Sequence, residues 1–351
     1  MFLYNHAAIF PDQMPGSIFA NGYVMVNGAK MSKQAGNFLT LQNVIDMYGA
    51  DATRLVLCDS GDTHADANFE QNNANSAVLK LNAFVEWIKE TLEGPMREEG
   101  SEYLFADKIF DTRINLCVEQ SKKFYNDMIY KEVFKSAWVG MQEALSKYIE
   151  IMKRDSEKLH KKLVLKFIEM QSIILSPVLP HITEHIWREF LKKEGSIVDA
   201  KWPVVPEADQ SLLASDEYLK DALHSFRQSF QKESKNKKRP LKAYVYVLTR
   251  QGRASHETYF NRNERLHEIQ ANAFIAAKRD QYKKDGDKAL SAEMPFNEFE
   301  LLKANVNLIK ACFGGVETVE IYSLSQDYPD PLKRALRAQP LEPAFGVEYE
   351  K

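Results

Sequence analysis

Apolar positions along the chain change their period twice. Residues 1 to about 70 mix short apolar runs with turn residues. "YVMV" (Tyr23 to Val26) reads as a short strand, and Asn27-Gly28 behind it reads as a tight hairpin turn, because both central residues of such a turn need positive φ. "LTLQNVIDMYGADATRLVLC" predicts a helix, a break at Gly49 and a second helix, with Thr40 as N-cap of the first and Asp51 of the second. From Glu70 the period becomes helical. Val78, Leu81, Val85, Ile88 and Leu92 form one stripe, ended at Gly94-Pro95. A second helix is predicted across Lys108 to Asn126. A third carries Phe134, Trp138, Met141, Leu145 and Tyr148, and a fourth Leu163, Phe167, Met170 and Ile174. "SPVLPH" stops the fourth, since each proline disfavours helix at the residue before it. A fifth runs from about His181 to Lys192 on Ile182, Ile186 and Phe190. Five amphipathic helices with short connections describe an antiparallel bundle.

"IVDAKWPVVPEAD" is punctuated by proline and marks a boundary. Beyond it lie a helix ("SDEYLKDALHSFRQSFQKE"), a basic run and a strand ("KAYVYVLT") with Tyr244 and Tyr246 alternating against Val245 and Val247. The tail adds a helix ("FNEFELLKANVNLIKACF") and a strand ("VETVEIYSL"). These elements predict a small α+β domain.

Composition narrows the function classes. The chain has 351 residues, 44% hydrophobic and 27% charged, enough for two or three domains. A formal net charge of -3 supplies no global basic field, so a nucleic-acid site must be a local patch. Cys58, Cys117 and Cys312 are far apart and form no CxxC pair, which argues against a disulfide framework and a zinc site and fits a reducing compartment. No apolar run approaches the ~20 residues that span a bilayer, and no secretory signal is read at Met1.

The candidate chemistry lies in "KMSKQAGN". Lysine is a compact point charge with three donors, suited to phosphate. Lys30 and Lys33, three apart on a loop, must face water or an anion. Ser32 adds a hydroxyl, Gly36 lets the backbone approach a ligand, and Asn37 can fix a turn. Read alone, the pattern also fits a solvated surface loop.

Lys30-Met31-Ser32-Lys33 followed by Gly36-Asn37 resembles the KMSKS signature of class I aminoacyl-tRNA synthetases. "LYNHAAIFP", "ANGYVMVNGAKMSKQAGNFLTL", "YGADATRLVLCDSGDTHADANFE" and "LSPVLPHITEHIW" together resemble leucyl-tRNA synthetases of the cytosolic eukaryotic and archaeal type, strongly from Phe2 to about Pro203. Gln34 stands where that family usually has serine. The resemblance implies a mainly α chain in three parts. Residues 1–70 are the C-terminal remnant of a Rossmann-like α/β nucleotide-binding domain with the KMSKS-type loop. Residues 71–205 are an anticodon-binding-type helical bundle, and 206–351 a C-terminal α+β domain. It implies leucine–tRNA ligase chemistry: ATP-dependent activation of leucine and its transfer to tRNA-Leu, with ATP, accompanied by Mg2+, held by Lys30, Met31, Ser32, Lys33 and Gln34. Lys30 and Lys33 are the catalytic candidates. No bound metal or organic cofactor is expected.

The same resemblance implies a portion of a longer enzyme. No HIGH-type motif is present, and His6 in "YNHAA" lacks the residues that would make one. An inactive isolated chain is therefore expected, meeting leucine through an N-terminal half and associating with that half or with other synthetases in the cytoplasm, away from membranes. The tRNA-binding candidates are Lys158, Lys161 and Lys162 in "KRDSEKLHKKLVLK", and Lys235, Lys237, Lys238 and Arg239 in "KESKNKKRPLK". A solvated helix face and a charged linker compete with that reading. Trp138 and Trp187 are expected in the core and Trp202 as a packed boundary residue. His181 and His185 have metal-compatible spacing but lack a third ligand. Asp59, Asp62 and His224 form no catalytic set. Two readings compete with the whole: a non-catalytic module binding tRNA or a partner, and the equivalent part of an isoleucine or valine enzyme.

Overall fold

The computed structural model describes residues 2–18, 20, 22–61, 66–234, 239–247, 296–314, 316–324, 328–338 and 343–350. They divide into two compact units, Met1–Ala208 and Asp209–Lys351.

In the first unit, α1 (Phe2–Ile9) precedes a small sheet of β1 (Val24–Val26), β2 (Ala29–Lys30) and β3 (Ala67–Phe69), in the order β2-β1-β3. The hairpin forms as expected: Asn27 (φ 49°) and Gly28 (φ 78°) both occupy the left-handed region, and β1 and β2 pair antiparallel with Met25 opposite Lys30. β1 and β3 are parallel. The chain between them carries α2 (Leu41–Tyr48) and α3 (Ala50–Ser60). Thr40 caps α2 in a capping box with Asn43. Gly49, not Asp51, caps α3, without a side-chain bond, and Asp51 is released for another task.

The bundle follows: α4 (Gln71–Glu93), α5 (Phe105–Asn126), α6 (Tyr130–Val133), α7 (Met141–Arg154), α8 (Lys161–Leu175) and α9 (Pro180–His185). Two π-helical stretches, Phe134–Gly140 and Ile186–Phe190, extend α6 into α7 and prolong α9. They explain where the expected stripes slip. An i→i+5 bond widens the turn, so Val133 and Ala137 are buried while Phe134 is only half-buried. On α4 the fully buried face is Ala74, Ala77, Leu81, Phe84 and Ile88, with Val78, Val85 and Leu92 at its margin. One apolar core runs from Val44 on α2 to Ile186 and joins the small sheet's helices to the bundle. Its aromatic centre sets Phe84 edge-on to Trp138 at 5.6 Å and stacks Phe110 on Tyr148 at 4.5 Å. Trp187 is buried, and Trp202 packs edge-on to Tyr125 at 5.7 Å. Cys117 lies against Gly140, where an added Cβ would come within 3.2 Å of its sulfur. Burial pushes the Cys117 thiol up to about 12.

The second unit begins with α10 (Gln210–Glu233), capped by Asp209. Its sheet has the order β5-β4-β6, with β4 (Pro240–Val247) parallel to β5 (Thr318–Ser323) and antiparallel to β6 (Ala344–Tyr349). α11 (Glu298–Ala304) and α12 (Val306–Cys312) precede β5. Ala243 through Val247 are all buried, so β4 is covered on both faces. Tyr244 and Tyr246 pack with Ala335, Ala338 and Leu332. On α10, Tyr218 donates to Glu298 at 2.6 Å.

One buried polar knot holds the bundle's irregular segment. Arg97 donates to both oxygens of Asp107 (2.6 and 2.7 Å), Tyr148 donates to the same carboxylate (2.5 Å), and the Leu104 N–H adds a fourth bond (2.7 Å). Asp107 is fully buried. Burial and the bond to Asp107 raise the Tyr148 phenol. Arg97 also donates to the Lys158 carbonyl at 2.8 Å, stitching the segment after Gly94 to the start of α8. Arg97→Met strands a buried carboxylate and is expected to cost about 3–5 kcal/mol. The measurement is the urea midpoint at unchanged m-value. Arg97→Met combined with Asp107→Leu recovers part of that loss.

Candidate functional site

The lysine loop leaves β2 and is closed by one side chain. Asn37 accepts from the Ser32 N–H at 2.8 Å and donates to the Lys30 carbonyl at 3.1 Å. The Gln34 N–H donates to the Ser32 hydroxyl at 3.2 Å, and the Gly36 N–H to the Lys33 carbonyl at 3.4 Å. Gly36 takes φ 70°, where a side chain would strain the turn. Met31, Ser32 and Asn37 are half-buried; Lys30, Lys33 and Gln34 are exposed.

Neither ammonium pairs with a carboxylate among the described residues. Lys30 Nζ rests over the Tyr23 ring at 4.5 Å, and Lys33 Nζ over the Phe38 ring at 5.7 Å. Exposed contacts of this kind hold a cation by only about 0.5–1 kcal/mol, so both charges stay available to an anion. Sequence reasoning missed both aromatic seats. The hairpin register carried the signal for one: with Lys30 opposite Met25, Tyr23 is its diagonal neighbour on the same face.

The hairpin is tied to the bundle through its own turn. Asn27 accepts from the Gln71 N–H at 3.0 Å and donates to the Gln71 side chain at 2.8 Å. Gln71 opens α4, whose N-cap residue makes no side-chain bond, so the turn caps the helix from 44 residues away. The Gly28 N–H donates to Asn68 on β3 at 2.7 Å.

α3 makes the second tie. Asp51 accepts from the Ile182 N–H at 2.7 Å and from the His181 ring at 2.8 Å, at the start of α9. One turn on, Arg54 donates to the carbonyls of Pro177 (2.7 Å) and Val178 (2.8 Å), just past α8. His181 is thereby engaged by a carboxylate, and His185 lies edge-on to Phe190. No group of three or more His, Cys, Asp or Glu side chains among the described residues is arranged to hold a metal.

The basic candidates differ in what they touch. Lys161 lies 3.5 Å from Glu99. Lys166, on the same helix, binds Asp111 at 2.6 Å and Asn115 at 2.7 Å. Lys158 and Lys162 are exposed. Lys235, Lys237 and Lys238 lie outside the described residues, as does Asp62. Arg239 approaches Glu317 at 3.6 Å, and Lys242 binds Glu320 at 2.7 Å. That hydrogen bond raises the Lys242 ammonium and lowers the Glu320 carboxyl.

Two family models match the chain: "tRNA synthetases class I (M)" over residues 4–84 and "Anticodon-binding domain of tRNA ligase" over 107–245. Among curated relatives, a cytoplasmic leucine–tRNA ligase of Pongo abelii is 33% identical over 87% of this chain and 29% of its own length. One from Arabidopsis thaliana is 32% identical over 95% and 34%. One from Dictyostelium discoideum is 30% identical over 98% and 35%. The chain spans about a third of the length of these relatives. A solved ternary complex of Agrobacterium radiobacter K84 LeuRS is 16% identical, covers 60% of this chain and 27% of its own, and has a TM-score of 0.46.

Removing the distant cap tests the second tie. Asp51→Ala is expected to cost about 1–2 kcal/mol and to speed hydrogen exchange at the Ile182 amide. Asp51→Asn keeps an oxygen acceptor and loses less. Denaturant unfolding and amide exchange read both.

Proposed function

Because the chain belongs to the leucine–tRNA ligase family of class I aminoacyl-tRNA synthetases, we propose that it supplies the ATP-closing loop and tRNA-holding domains of an enzyme that activates leucine and transfers it to tRNA-Leu. The observation that carries this reading is the pair of lysines pinned on one small loop with their charges, among the described residues, unspent on carboxylates. It lies inside the segment matching the class I model.

In activation, a carboxylate oxygen of leucine bonds to the α-phosphorus of ATP and the bond to pyrophosphate breaks. Charge grows on the bridging oxygen and on the departing group, so positioning and electrostatic stabilisation dominate the catalysis. In this proposal Lys33 contacts the phosphates, Lys30 assists, and Ser32 shapes the loop, consistent with its hydroxyl accepting from Gln34. Magnesium would arrive on the phosphate oxygens of ATP, as part of the substrate.

We further propose that residues 1–70 complete a nucleotide-binding fold with chain supplied elsewhere. Phe2, Tyr4, Ile9, Phe10, Met14 and Ile18 are exposed, a row that a covering sheet or helix would bury. The bundle and the C-terminal unit would hold tRNA, with Lys158, Lys161, Lys162, Lys235, Lys237, Lys238 and Arg239 as phosphate contacts. A cytoplasmic location follows from the same reading, and no helix among the described residues is long and apolar enough to cross a membrane.

Three outcomes are expected. The isolated chain fails to charge tRNA with leucine; charging by the purified chain refutes the need for a second part. In the completed enzyme, Lys33→Ala lowers the pyrophosphate-exchange rate about 10²–10³-fold, with a smaller effect on leucine KM. A wild-type rate removes Lys33 from the chemistry. Affinity for tRNA falls steeply with salt, and replacing Lys235, Lys237, Lys238, Arg239 and Lys242 by glutamine flattens that slope. Arg239 and Lys242, already beside carboxylates, should contribute least.

A further inference from the structure

We propose that Asn37 is a positioning residue for the phosphate contact: its side-chain amide holds Lys30 and Lys33 in the arrangement that receives the anion. The proposal rests on the phosphate-loop reading above and adds to it a residue that carries no charge.

Besides Asn37, the loop has two longer bonds of its own, from the Gln34 N–H to the Ser32 hydroxyl and from the Gly36 N–H to the Lys33 carbonyl. Lys33, Gln34, Ala35 and Gly36 are all exposed. The ring contacts of the two ammoniums are weak and would be given up on anion binding. Asn37 alone, among the described residues, reaches both the Lys30 carbonyl and the Ser32 amide, so it fixes the backbone on either side of Met31. The task needs one acceptor and one donor on a short, planar group, which describes an asparagine amide. Aspartate keeps the acceptor and loses the donor; alanine loses both. Asn37 is half-buried and its amide is bonded to backbone groups, while both lysine side chains remain exposed. A loop already ordered before binding does not have to be ordered by the ligand, and affinity rises by that difference.

The test uses the full 351-residue chain and inorganic pyrophosphate as probe. Titration is followed by the NMR signals of the lysine ammoniums, and amide exchange is measured in the absence of pyrophosphate. The wild type is expected to bind saturably. Asn37→Ala is expected to bind about tenfold more weakly, with the salt dependence unchanged because both charges remain. Lys33→Ala, by contrast, flattens the salt dependence. In Asn37→Ala the Ser32 amide exchanges faster while Val44 on α2 stays protected. An Asn37→Ala chain that binds as the wild type does overturns the positioning role and leaves the phosphate-loop reading intact. Loss of protection through α2 as well overturns it too, since the residue would then be a general support of the fold. A wild-type chain whose lysines ignore pyrophosphate overturns the claim that Asn37 readies the loop for an anion in this chain, while the phosphate-loop reading is judged separately by Lys33→Ala in the completed enzyme.

Discussion

One turn of α3 answers two sets of orphaned backbone groups at once. A helix leaves its first N–H groups and its last carbonyls without partners. The chain passes Pro177 between α8 and α9 and opens α9 on Pro180, and the carbonyls of Pro177 and Val178 and the amide of Ile182 all meet the same neighbour. Asp51 supplies the negative charge that a helix start favours, and Arg54 the positive charge that a helix end favours. The joint between α8 and α9 is thus read, polarity by polarity, by a helix that belongs in sequence to the lysine-loop region. The continuous core from Val44 to Ile186 is packed around that joint.

The loop itself combines a firm base with loose charges. Hydrogen bonds from Asn37 and a left-handed glycine shape the backbone. The side chains that would meet phosphate rest on aromatic faces. A carboxylate partner would have held them more tightly and would have had to be displaced, at a Coulombic cost, before an anion could enter. An aromatic face steadies a long, exposed side chain at little cost to its availability.

Much of this was legible in the sequence because it is local. The Asn27-Gly28 turn, the Thr40 cap and the proline stop after α8 depend on neighbours within a few residues and appear where their spacing puts them, and the helices themselves form where the period predicts them. The second unit's tyrosine-valine alternation likewise marks β4, although burial on both faces is invisible to a period of two. What escaped is non-local. Asp51 has the composition of an N-cap and the position of one, yet Gly49 takes that role and Asp51 caps a helix 130 residues away. Asn27 caps α4 in the same long-range manner. The two π-helical stretches shift a stripe by one residue, and no periodicity announces them in advance. At the candidate loop the charges and the glycine could be read, but the rings beneath the ammoniums required the hairpin register.

The bond between the hairpin turn and Gln71 has a mechanical consequence. α4 is 23 residues long, a rod of about 35 Å at 1.5 Å per residue. It is gripped at its first residue by the hairpin turn that leads into the lysine loop. One face of α4 is buried from Ala74 to Ile88, so the grip ties the hairpin to a rod that the core holds along its length, and the lysine loop takes its footing from the bundle as well as from the small sheet.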